Sequence, residues 1–244
     1  MGDLLELTGR AEATHFWFRG FRKFFAPVIS DIAAGRRDLR LIDCGCGTGY
    51  NLALLSPYGR VFGFDLTAEG TQRARASGRA VVRADMEHIP FASGSFDVAT
   101  SFDVLQSVPD DRRALREIAR ILKPGGHAVL NVSALEFLRA DHAEVWSELR
   151  RYTPATARRL IADAGLQPVR VSFLFGSLLP LMLAVRTGQK LLRRFRSPRG
   201  DAELLVPAAP VNETLTWLVS REAALARRVP MPFGSSLMMV ARKP

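Results

Sequence analysis

The chain has 244 residues, 48% apolar and 24% charged, enough to bury the core of one α/β domain or of a domain with an insertion. Its 34 Lys and Arg against 24 Asp and Glu give a formal charge of +10, which favours nucleic acid, a phosphorylated or carboxylated small molecule, or an anionic membrane, without choosing among them. Cys44 and Cys46, the only two cysteines, exclude a disulfide framework and, with no partner ligands nearby in sequence, a zinc site, so no metal is expected and a cytoplasmic location is. The first twenty residues lack the basic head, apolar stretch and cleavage site of a secretory signal.

Residues 1–38 carry "HFWFRGFRKFF", dense in aromatic and basic side chains at helical spacing. They are expected to form an N-terminal helical lid that includes Trp17 and Arg19, or else a helix packing its aromatics on the core. From Leu39 to Val132 the chain alternates β-rich runs with helical ones: "LRLID", "NLALLS", "RVFGFD", "AEGTQRARAS", "AVVRAD", "FDVATS", "DDRRALREIARIL", "HAVLNV". This βα repeat implies a parallel sheet with helices on both faces, and "KPGG" at Lys123–Gly126 stops the helix before the fifth strand. "YTPATARRLIADAGL" predicts a helix capped by Thr153, with Pro154 in its first turn and Gly165 past its end, followed by a strand "QPVRVSFLF".

The run "VSFLFGSLLPLMLAV", residues 171–185, is shorter than the roughly twenty apolar residues of a membrane span and contains Gly176 and Pro180. "RTGQKLLRRFRSPRG" follows it with six basic residues and no acid. One reading is a buried strand leading into a substrate-covering insertion, about 175–232; the other is an apolar patch with a basic flank lying on an anionic membrane. "DAELLVPAAPVNETLTWLVSREAALARR" then predicts a linker and helix, and "SSLMMVARK" a last strand within a domain spanning 39–244.

The chemistry concentrates in "LIDCGCGTGYN", Leu41–Asn51. Tyr50 breaks the dinucleotide fingerprint, which needs a small residue there, and no Gly-Lys-Ser/Thr follows to make a phosphate loop. What is left is a turn whose glycines permit positive φ and let a ligand approach the backbone. Asp43 ends the first strand, Asp65 the second, where its carboxylate can accept from both hydroxyls of a ribose, and Asp85, followed by Met86, the third. A ligand with an amine, a ribose and an adenine but no phosphate suits this set.

In "LIDCGCGTG", "GFDLT", "ADMEHIPF", "FDVATSFDVLQSVPD" and "LREIARILKPGG", together covering about residues 39–133, the chain resembles class I S-adenosylmethionine-dependent methyltransferases of the small-molecule branch, methyltransferase type 11-like. The resemblance implies a Rossmann-like seven-stranded sheet, order 3-2-1-4-5-7-6, with the last strand antiparallel. It implies that Asp65 binds the ribose, Asp85 and Met86 the adenine, and Gly45 and Gly47 the methionine portion, with Asp43, Cys46, Leu66 and Phe102 in the same S-adenosylmethionine site and Arg19 reaching the cofactor carboxylate. Where relatives often carry Glu and His after the fourth strand, this chain has Gln106 and Ser107, and Glu148 stands where relatives with an "RRYT" element often have His. His142, His15 and Tyr152 remain as candidates for catalysis, and Glu148 and Arg151 as possible acceptor-site lining.

The expected activity is methyl transfer to a small-molecule acceptor, apolar or anionic, in natural-product or lipid/polysaccharide-related biosynthesis, with peripheral membrane contact allowed. A nucleic-acid methyltransferase is the alternative suggested by charge. It is disfavoured because "SFDVLQ" replaces the Asn/Asp-Pro-Pro-Tyr/Phe element of amino-methylating enzymes. A non-catalytic S-adenosylmethionine-binding protein or cyclase-like relative is the third reading.

Overall fold

The computed structural model describes residues 2–139, 141–192 and 204–244. In chain order the elements are α1 (Gly2–Ala11), α2 (Phe16–Ala33), β1 (Leu39–Cys44), α3 (Leu52–Leu55), β2 (Gly59–Asp65), α4 (Ala68–Arg75), β3 (Ala80–Arg83), β4 (Phe96–Phe102), α5 (Asp111–Ile121), β5 (Leu122–Ser133), α6 (Asp141–Val145), α7 (Pro154–Asp163), β6 (Gln167–Leu174), α8 (Leu179–Leu192), α9 (Ala209–Ala226) and β7 (Ser236–Arg242). The strands form one seven-stranded sheet in the order β3-β2-β1-β4-β5-β7-β6. β1 to β5 run parallel, and β7 inserts antiparallel to both β5 and β6. This is the expected sheet.

Both faces of the sheet are buried, and the two-residue period of a strand decides which layer each side chain joins. Ile42, Leu130 and Met239 point into one core with Leu115, Ile118 and Ile161 of α5 and α7. Their neighbours Leu41, Val129 and Met238 point into the other, with Phe21, Phe25 and Ile29 of α2 and Val219 of α9. The sheet order follows from this: each crossover carries a helix to one face, and the chain reverses sides between β3 and β4, leaving the carboxyl ends of β1, β2, β4 and β5 along one edge.

The N-terminal segment divides into two parts. α2 belongs to the fold itself: Phe21, Phe24 and Phe25 are buried, Phe25 meets Phe102 edge to face at 5.0 Å, and Trp17 stacks on Phe175 at 3.8 Å. Gly20 lets α9 come this close, since a Cβ there would overlap the Val219 side chain. α1 sits further out, over the ligand edge. The long apolar run likewise splits: residues 171–174 complete β6, Phe175 turns the chain with φ 60°, and a 3-10 turn leads into α8. Its basic flank lies from residue 193 onward outside the described residues.

Candidate functional site

The glycine turn is fixed by backbone hydrogen bonds to the neighbouring strand. The amides of Gly45 and Cys46 both donate to the Phe64 carbonyl, at 2.9 and 2.8 Å, and Gly47 donates to Asp65 Oδ2 at 2.8 Å. Gly45, Gly47 and Gly49 take φ of 79°, 51° and 83°, a region that costs a residue with a Cβ roughly 1–2 kcal/mol. At Gly45 a Cβ would lie 2.5 Å from Val104, and at Gly49 2.7 Å from the Ala74 backbone, whereas at Gly47 nothing lies within 4 Å. The outer two glycines thus let the turn pack, and the middle one leaves its outward side open for a ligand.

The three strand-end acids have different surroundings. Asp43 is 1% exposed and accepts from Thr100 Oγ1 at 2.6 Å. Burial, with the charge of Asp65 adding to it, pushes its pKa up to about 7. It is buried together with Thr100 and has no surface to offer a ligand. Asp65 is half-buried, and three of the roughly four lone-pair positions of its carboxylate are taken by Gly47 N, Thr67 N and Thr67 Oγ1. A ribose diol held by both hydroxyls would therefore have to displace one of these. Asp85 is exposed and accepts from Glu87 N at 2.9 Å.

At the same corner Met86 is tucked into the core at 4% exposed, while Leu66 is 62% exposed and presents the apolar surface. Phe102 packs its ring between Phe21 and Phe25, so it has only backbone to offer at the edge. Cys46 and Cys44 are buried free thiols whose pKa values burial raises well above the ordinary range. They are inert packing residues, and among the described residues no cluster of His, Cys, Asp or Glu could hold a metal.

Next to the turn, at the ends of β4 and β5, a second group gathers. Asp103 has φ 58°, accepts from Asn131 Nδ2 at 2.7 Å and precedes Val104, which lies against Gly45. More than a third of its surface is open at the edge. The protein packed around its carboxyl and the charge of Glu148 nevertheless push its pKa up to about 7, with solvent at the mouth screening part of the effect. Behind it, Ser133 Oγ donates to Glu148 Oε1 at 2.8 Å, and Glu148 Oε2 pairs with Arg151 at 2.7 Å, the two side chains 1% and 3% exposed. The Oε1 of Gln106 and Nε of Arg151 are buried without a hydrogen-bond partner in the protein.

Other expected residues lie apart. Tyr152 is 3% exposed and its hydroxyl donates to Asp111 Oδ2 at 2.8 Å. Burial and the Asp111 charge raise its pKa further above the ordinary range, so it clamps the "RRYT" segment to α5 and is a poor base. His142 falls in α6, but its side chain is outside the described residues. His15 is the N-cap of α2, its Nδ1 accepting from Trp17 N at 3.1 Å, and burial lowers its pKa. Arg19 forms a two-point ion pair with Glu213 of α9, at 2.5 and 3.0 Å, and does not face the turn.

Sequence reasoning missed two residues. Asp103 was hidden inside "SFDVLQ" as one acid among several, and its left-handed backbone is a property of the fold. Glu12 is 7% exposed and receives the Thr48 hydroxyl at 2.8 and 2.7 Å, which ties the end of α1 to the glycine turn. Burial raises its pKa to about 7. Two surface depressions lie elsewhere, one on α9 at Val211 and Thr214 and one beside Asp97 and Lys123 at the amino ends of the strands. Ligands of open α/β sheets sit at the opposite, carboxyl edge.

Residues 42–130 match the family model described as "Methyltransferase domain". The chain is 30% identical over 161 residues to a malonyl-acyl-carrier-protein O-methyltransferase of Herminiimonas arsenicoxydans, covering 64% of this chain and 61% of that one. It is 38% identical over 158 residues to a demethylmenaquinone methyltransferase of Corynebacterium kroppenstedtii, covering 64% and 65%. The chain spans less than two thirds of the length of these curated relatives. Among solved structures, the methyltransferase in complex with the Haloferax volcanii Trm112 methyltransferase activator superposes with a TM-score of 0.57 at 26% identity, over 90% of this chain and 93% of that one. The open cradle at Gly47, the carboxylate of Asp65 and the apolar Leu66 beside it suit the methionine, ribose and adenine parts of S-adenosylmethionine. With the sheet order, the turn and these matches together, the chain carries a methyltransferase domain at residues 42–130 within the sheet of class I S-adenosylmethionine-dependent methyltransferases.

Proposed function

We propose that this protein transfers a methyl group from S-adenosylmethionine to a small-molecule acceptor of natural-product or lipid/polysaccharide-related biosynthesis, and does so in the cytoplasm. The observation that carries the reading is the adjacency of two differently built groups on one sheet edge: a glycine turn with an open backbone face and, one residue from its packing partner Val104, the polar group around Asp103. The bound cofactor supplies an electrophilic methyl carbon. The protein's part is to align an acceptor with it, exclude water and, for a phenol or alcohol, take a proton.

For that last task the chain offers Asp103 in place of Tyr152 and beside His142, whose side chain lies outside the described residues. The residue is exposed at the edge, Asn131 fixes the direction of its carboxylate, and the protein packed around that carboxyl, with the charge of Glu148 adding to it, makes it a better base than an ordinary aspartate. Glu148 and Arg151, buried behind Asp103, support the acceptor side from within. Relatives named for malonyl-acyl-carrier protein and for demethylmenaquinone support the reaction class and leave the acceptor open.

Isothermal titration of the whole chain with S-adenosylmethionine is expected to show one site, and the methyl-labelled cofactor is expected to label material in a small-molecule extract. Absence of binding would remove the reading. Label appearing in RNA or DNA instead would transfer it to the nucleic-acid alternative.

A further inference from the structure

Helix α8 has its polarity reversed. Its protein-facing stripe runs from Leu178, in the preceding turn, through Met182 to Arg186, each four residues from the last. Leu178 and Arg186 are 2% and 5% exposed, and Met182 packs against the α2/α9 core. Arg186 lies where its positive charge is felt by Arg151, so the one charged side chain described on this helix points inward. Its outer surface carries Leu181, Leu183, Val185 and Leu191, exposed by 50, 39, 46 and 71%. An ordinary surface helix does the opposite, as α7 does with Arg158, Arg159 and Asp163 exposed and Leu160 and Ile161 inside. Further along the chain Leu205 and Trp217 are also exposed, by 65% and 63%.

The charge of the chain decides between a bilayer and a second copy as the cover for this surface. The protein carries +10, and the sequence immediately after α8, "RRFRSPRG", has four arginines and no acid. That segment lies outside the described residues. Two copies of a chain that carries +10 would repel each other. An anionic bilayer would attract both apolar and basic components. At 14 residues α8 is about 21 Å long, short of the roughly 30 Å hydrocarbon thickness, and no helix among the described residues is long and apolar enough to cross a membrane. Only an orientation parallel to the surface fits.

We propose that α8 lies in the plane of an anionic membrane, its leucines and valine at the headgroup–acyl boundary, and holds the protein there as a peripheral partner. The docking itself does not depend on methyl transfer.

The test is co-sedimentation of the full chain with phosphatidylcholine vesicles, with and without phosphatidylglycerol. Binding is expected only when the anionic lipid is present and is expected to weaken as salt is added. The double variant Leu181→Asp/Val185→Asp should bind about tenfold more weakly or worse, with its circular dichroism and melting temperature unchanged. If the aspartates lower the melting temperature, Leu181→Ser/Val185→Ser is read instead, with the same expectation. The proposal is overturned by wild-type protein that ignores anionic vesicles or by a folded variant that binds as well as wild type. Light scattering that shows a dimer abolished by the variant also overturns it, since a second copy would then cover the face.

Discussion

The two halves of the ligand edge are built by different means. On the β1–β2 side the cofactor turn is held by backbone amides meeting one carbonyl and one carboxylate, all within 21 residues of one another, from Gly45 to Asp65. On the β4–β5 side the arrangement rests on side chains drawn from distant positions: Asp103, Asn131, Ser133, Glu148 and Arg151. A backbone-built site tolerates changes in most side chains and depends on a few glycines. A side-chain network can be re-specified by single substitutions, so a shared cofactor half can serve with many acceptor halves.

Four substitutions would break or sharpen that contrast. Arg151→Ala should have the largest effect, because it strands the buried Glu148 carboxylate; chemical denaturation should show a loss of about 3–5 kcal/mol, and a loss under 1 kcal/mol would mean that water reaches the pair. Gly45→Ala should cost about 2–4 kcal/mol by combining the left-handed φ with overlap on Val104, read from the urea midpoint. Little change there would show that the turn can flip without harm. Asp65→Ala removes the acceptor shared by Gly47 and Thr67, and calorimetry should show S-adenosylmethionine binding at least about tenfold weaker. Unchanged affinity would detach Asp65 from the site.

The smallest effect concerns pH. Glu12 has its folded pKa raised from 4.5 to about 7, so between those values the folded state binds a proton that the unfolded state has lost, and stability falls as pH rises through that window. Asp43 contributes in the same direction. Glu12→Gln should therefore narrow, without abolishing, the difference in melting temperature between pH 5.5 and pH 8. An unaltered difference would place the titration elsewhere.

What the sequence makes legible divides along the same line as the site. The cap at Thr153 and the acids Asp65 and Asp85 are local signals, because Thr156, Thr67 and Glu87, which satisfy them, are neighbours in the chain, whereas "KPGG", expected to stop a helix before the fifth strand, lies inside β5. Tyr152 has the sequence neighbours of an acceptor-site residue, yet its hydroxyl is settled by Asp111, 41 positions away. His15 has the spacing of a lid imidazole and serves as a helix cap, and Arg19 is claimed by Glu213 across 194 residues. For Tyr152 and Arg19 a tertiary partner overrode the local pattern, whereas His15 is taken by the amide of Trp17, two residues on. The run at 171–185 was ambiguous for another reason: an apolar stretch has no period of its own, and only the turn at Phe175 separates strand from helix.

The hydrogen bonds from Thr48 to Glu12 make the start of the chain and the cofactor turn parts of one equilibrium. Whatever orders the turn must, by reciprocity, also order the end of α1, and whatever releases α1 must loosen the grip on the ligand by the same factor. Protease cleavage around residues 8–14 is therefore expected to slow when S-adenosylmethionine is added, and an unchanged cleavage rate would show that the contact transmits nothing.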